Sequence, residues 1–116
     1  MSDDLLRKYT LFRATVGTEE MARRLAKILV KNDYCISVHV SKVDTFYKWK
    51  GEYTEDQEWE VTGTSAMDKA GMINAVIQHV NDYDLTEVIF YEVDSAEDVK
   101  RWIASQEGGI TRFSRS

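Results

Sequence analysis

Cys35, His39 and His79 are the side chains in this chain suited to a transition metal, since thiolate and imidazole are its usual protein ligands. Their spacing does not make a ready chelate. Cys35 and His39, read as lying on one strand, share a face but stand about 13 Å apart, too far to grip a single ion. His79 falls on a helical pattern without the i, i+4 partner of helical zinc sites. The candidate metal ligands are thus Cys35 and His79, to be joined only by different elements or subunits, and Cys35 is otherwise expected as a small buried residue.

Carboxylates offer a second chemistry. Glu52, Glu55, Asp56, Glu58 and Glu60 could attract hard cations through oxygen. On a strand, however, Glu52, Asp56, Glu58 and Glu60 are spread along one face rather than aimed at a point. The expectation is a solvated arm paired across a hairpin with Lys42, Lys48 and Lys50, at about a few tenths of a kcal/mol for each pair. Glu58, Tyr83 and Glu87 form an acid/base set only if the fold brings them together. There is no Ser-His-Asp order, Gly-rich phosphate loop, Cys-x-x-Cys or zinc-hydrolase motif, so the reading is of a protein that is not an enzyme.

The elements that must position these residues follow from periodicity. Tyr9 to Val16 reads as a strand, and Gly17-Thr18 ends it with Thr18 as the N-cap of a helix over roughly Glu19 to Lys31. Ala22, Leu25, Ala26 and Leu29 recur at helical spacing there, and Asn32 closes the helix. Ile36, Val38 and Val40 alternate as a strand, whereas Val43, Thr45, Tyr47 and Trp49 have the opposite parity, which predicts a bulge near Ser41-Lys42. Gly51 marks the turn, and the return strand runs to about Thr62. A second helix is expected after Ser65, where Ser65 and Asp68 have capping-box spacing, with Ile73, Val76, Ile77 and Val80 as its buried stripe. Val88 to Val93 is a strand, and Ser95 with Asp98 opens a third helix carrying Trp102, ahead of a polar tail at 108-116.

This order, β-α-β-β-α-β plus a terminal helix, predicts an α/β (α+β) ferredoxin-like sandwich with an extended hairpin, in one domain spanning residues 1-116. Its helices cover one sheet face. The other face and the hairpin aromatics Phe46, Tyr47, Trp49, Tyr53 and Trp59 have too little of the chain left to cover them, so they are assigned to an oligomer interface.

Bulk properties exclude other classes. With 20 acidic against 15 basic residues and a net charge of -5, general nucleic-acid binding is not expected. No apolar run reaches the length of a membrane span and the N-terminal segment lacks a signal-peptide core, so no membrane partner and a cytoplasmic location are expected. A single cysteine fits a reducing compartment.

Several linked motifs resemble the CutA family, small trimeric proteins linked to divalent-cation tolerance and similar in fold to PII signalling proteins. The first helix followed by Cys35 resembles the family's leucine-rich helix and Ala-Cys strand start. Phe46-Tyr47-Lys48-Trp49-Lys50-Gly51 resembles its Tyr-x-Trp-x-Gly turn, with Glu58 on the return strand. Tyr83 and Glu87 match its His-Pro-Tyr-x-x-Pro-Glu motif, and Trp102 its terminal-helix tryptophan. This sequence departs from the pattern at Thr64-Ser65, in place of Lys-Thr, and at Asn81, Asp82 and Thr86, in place of His, Pro and Pro. Val99 replaces a tyrosine. The resemblance implies a homotrimer whose hairpins reach neighbouring subunits and a role in tolerance of copper or another divalent cation. It also implies an intersubunit cleft bearing Glu58, Tyr83, Glu87 and Trp102 that takes a small ligand. The alternative is a PII-like sensor that binds a metabolite or nucleotide and a regulated partner protein.

Overall fold

The computed structural model describes residues 9–81 and 86–93. Strand β1 (Tyr9–Val16) leads into helix α1 (Glu19–Lys31), followed by β2 (Ser37–Trp49), β3 (Glu52–Ala66), a 3-10 turn (Met67–Lys69), α2 (Ala70–Val80) and β4 (Val88–Val93). The strands form one antiparallel sheet in the order β2-β3-β1-β4, the ferredoxin-like arrangement with the first and third strands central. The third helix and the tail expected from the sequence lie outside the described residues.

Local chemistry sets the ends of α1. Thr18 is extended, with φ -136° and ψ 155°, and its hydroxyl accepts the Met21 N–H at 3.1 Å. Glu19 and Glu20 occupy the first turn, where the helix dipole favours negative charge. At the other end the Asn32 N–H donates to Ile28 O at 3.1 Å, and Asp33 turns the chain away at φ 60°. Ala22, Leu25 and Leu29 form the buried stripe of α1, while Ile73, Ile77 and Val80 form that of α2. Both stripes join Phe12, Ala14, Val16, Val61 and Cys35 in one core. Each large apolar side chain buried there contributes about 1.5–3 kcal/mol.

Three expectations are corrected. The β2–β3 pairing runs without interruption from Ser37 opposite Thr64 to Trp49 opposite Glu52, so there is no bulge at Ser41-Lys42. Val38 and Val40 pack against the helix-side core, and pleat alternation then puts Val43, Thr45, Tyr47 and Trp49 on the opposite face. The change of parity marks a change of face and leaves the register intact. The second correction concerns the start of α2. Ser65 lies within β3, with its hydroxyl donating to the Tyr34 carbonyl oxygen, and the helix begins at Ala70 with no side-chain cap. Ser65 cannot cap a helix while it sits in the strand ladder.

The strand assignment for Cys35 is also corrected. Cys35 lies before β2, buried, with its N–H donating to Leu29 O at 3.0 Å, whereas His39 is exposed on β2. The two do not share a strand face.

Candidate functional site

The hairpin turns on two residues, Lys50 and Gly51, both left-handed at φ 51° and 83°. Such a pair matches the twist of antiparallel strands and makes a tight two-residue connection. A Cβ at Gly51 would meet nothing within 4 Å, so the glycine is there for its backbone angle. Lys50 Nζ stands 5.8 Å from the centre of the Trp49 ring.

Beyond the helices the hairpin carries large side chains without cover from the described chain. Phe46 is 63% exposed, Trp49 58% and Tyr53 65%. Tyr47 is exposed as well, and its hydroxyl donates to the Asp56 carboxylate, while that of Tyr53 donates to Glu55. These bonds are the main reason both phenols titrate above their ordinary range, with desolvation adding to the effect. Trp59 is different. It is half-buried against the core, with Lys42 Nζ 5.8 Å from its ring centre.

The register also redistributes the charges. Lys42 lies opposite Trp59 and Lys48 opposite Tyr53, on the face away from Glu52, Asp56, Glu58 and Glu60. The lysine-carboxylate ladder expected from the sequence therefore does not form between directly opposed residues. Glu58, opposite Val43, is buried at 6% exposure.

On the sheet face away from α1 and α2 lies an open cleft of about 410 Å³, lined among others by Arg13, Thr15, Val43, Thr45, Glu60 and Glu87. That volume is in the range of small-molecule sites. Arg13 Nη1 stands 3.7 Å from Glu60 Oε2. Of the cleft residues expected from the sequence, Glu87 lines it and Glu58 lies one pleat repeat along β3 from Glu60, while Tyr83 and Trp102 lie outside the described residues. Sequence reasoning missed Arg13 and Thr15, although their parity on β1, opposite to Phe12, Ala14 and Val16, was available as a signal.

Asn81 and Thr86 tie the end of α2 to the approach to β4. Asn81 Nδ2 donates to Thr86 Oγ1 at 2.7 Å and reaches Thr15 O at 3.5 Å. Gln78 Nε2 donates to Thr86 O at 2.7 Å, and the Thr86 N–H donates back to Gln78 Oε1 at 3.1 Å. Two of the positions that depart from the resembled motif thus bond to each other. Asn81 Oδ1 is buried with no hydrogen-bond partner among the described residues.

The named metal candidates do not converge. Cys35 is in the core, where burial pushes its thiol up to about 12, and His79 is exposed on α2. Among the described residues no group of three His, Cys, Asp or Glu side chains could hold a metal ion.

Residues 10–106 match the family described as CutA1 divalent ion tolerance protein. The Divalent-cation tolerance protein CutA of Thermus thermophilus is 25% identical over 97 residues, covering 81% of this chain and 93% of that protein. Among solved structures, the divalent cation tolerance protein of Thermus thermophilus aligns with a TM-score of 0.78 at 23% identity, over 82% of this chain and 94% of that one. CutA1 from Oryza sativa aligns with a TM-score of 0.80 at 18% identity, over 85% and 93%. The structural likeness establishes the same fold.

Proposed function

Since this chain belongs to the CutA1 divalent ion tolerance family, we propose that it is a non-catalytic homotrimer that contributes to divalent-cation tolerance, copper included, through sites completed between subunits. The observation that carries this reading is the uncovered hairpin, with Phe46, Trp49 and Tyr53 each more than half exposed. Leaving three such rings in water forfeits several kcal/mol of burial that a neighbouring subunit would restore. A long antiparallel arm joined by a two-residue turn is a firm device for presenting them.

The cleft on the open face supports a ligand site shared between subunits. Glu60 and Glu87 offer oxygen ligands and Arg13 a cation, yet the described residues of one chain supply too few convergent donors for a closed metal centre. The divalent cation is therefore assigned to the assembly.

Solution mass tests the assembly. Light scattering behind size exclusion is expected to give three times the chain mass, and a monomer at micromolar concentration would sink the proposal. The cleft also favours one further reading, a PII-like sensor, because Arg13 could meet an anionic metabolite. A thermal-shift series with divalent metals and with nucleotides separates them: stabilisation by a nucleotide and by no metal selects the sensor.

A further inference from the structure

The hairpin and the cleft leave the outer surface of the helix layer unaccounted for. Arg23, Arg24, Lys27 and Lys31 on α1 are all exposed and, with Glu19 and Glu20 at one end and Ile28 along one side, line a shallow groove of about 710 Å³. By helix geometry they fall within roughly 100° of arc and span about 12 Å along the axis. Arg23 pairs with Glu19 at 2.8 Å. Arg24, Lys27 and Lys31 make no ion pair or hydrogen bond with the described residues.

The Glu19–Arg23 pair supports the helix, whereas the cations that follow it do not. Arg23 with Lys27, Arg24 with Lys27 and Lys27 with Lys31 are like-charge pairs at i, i+3 or i, i+4, each unfavourable by about a few tenths of a kcal/mol. The helix dipole compensates Lys31 in the last turn but not Arg24 in mid-helix. Glu19 and Glu20 lie at the N-terminal end of the same groove, so the excess of positive charge falls on its C-terminal part, at Lys27 and Lys31.

Beside the cation row lies a surface of another kind. Helix α2 packs alongside α1, and from Ala70 to Val80 it contains no Asp, Glu, Lys or Arg. Met72 on it is 52% exposed. The layer thus presents a basic stripe next to an uncharged strip with an apolar side chain.

We infer that this surface binds an acidic amphipathic segment of a partner protein, its carboxylates along Arg24, Lys27 and Lys31 and its apolar side toward Ile28 and Met72. Charge complementarity selects an acidic ligand, and the apolar strip selects polypeptide over nucleic acid, whose phosphates have no use for Met72. The net charge of -5 also repels a long polyanion more than a short acidic segment. The row of about 12 Å matches carboxylates at i, i+4 and i+8 of a helix.

The test is fluorescence anisotropy with a fluorescein-labelled synthetic helix carrying Glu at i, i+4 and i+8 and Leu on the adjoining face. It is expected to bind and to weaken as salt is raised. The double variant R24E/K27E, checked for fold by circular dichroism, should lose at least about tenfold in affinity. Met72→Asp should weaken binding by several-fold, and Lys48→Glu on the hairpin should bind as the parent does. Unchanged binding by the double variant would overturn the inference. So would equal affinity for a labelled oligothymidylate of the same charge, which would assign the surface to nucleic acid. A change in solution mass in the double variant would assign it to a second copy of the chain.

Discussion

Phe12 and Gly63 stand opposite each other in the β1–β3 pair, and a Cβ on Gly63 would lie 2.5 Å from Phe12 Cε1 and 3.0 Å from Ser37 O. The phenyl ring, fully buried, fills the space a side chain at position 63 would need. Gly63→Ala is therefore expected to destabilise the fold by about 1–3 kcal/mol, read from the urea midpoint. Pairing it with Phe12→Leu should recover part of that loss, because the two positions contend for one volume. An unshifted midpoint for Gly63→Ala would contradict the packing.

Thr18 holds the entry to α1 through its bond from the Met21 N–H. Thr18→Ala leaves that donor without its partner and should cost about 1 kcal/mol. Thermal melting checks it, and Thr18→Ser should restore most of the loss.

The Cys35 thiol, pushed up to about 12 by burial, is expected to resist a thiol reagent at mildly alkaline pH until the protein is unfolded. The sign of the pH effect follows from proton uptake. Above the ordinary thiol value of 9.0 the unfolded chain loses this proton while the folded chain keeps it, so stability falls as pH rises from there toward 12. Denaturant melts across that window should show a smaller decline in Cys35→Ala than in the parent.

Trp49 makes its contribution outside the chain's own core. Trp49→Asp should leave the circular dichroism spectrum unchanged, since the side chain is 58% exposed, and should shift sedimentation from trimer toward monomer. A variant that keeps the parent's mass would remove Trp49 from the interface.

Much of the architecture could be read from periodicity. The bounds of β1, α1 and β4 coincide with the expected ones because Tyr9–Val16 alternates, Thr18 and Asn32 are chemically distinct caps, and Val88–Val93 is a compact apolar run. The errors arose where one signal had two physical causes. A parity change at Ser41-Lys42 means a bulge when one surface covers both halves of a strand, but here the apolar residues simply change sides. Ser65 and Asp68 imitate a capping box, while the Ser65 hydroxyl is committed to Tyr34 O. At the site, composition carried no distances: Cys35 is a metal-binding type sunk in the core and His79 one exposed on α2. Arg13 and Glu60 come together only because β1 and β3, distant in the chain, are neighbours in the sheet.

The change of side along β2 divides the hairpin's obligations. Toward its base, Val38, Val40 and Val61 answer to the chain's own interior, and substitutions there are judged by folding. Past Lys42 the exposed rings answer to whatever meets them. The outer arm is thus free to diverge at little cost to folding, provided the surface that receives it diverges in step. Related proteins sharing one cell could by this means keep a common scaffold while each selects its own kind.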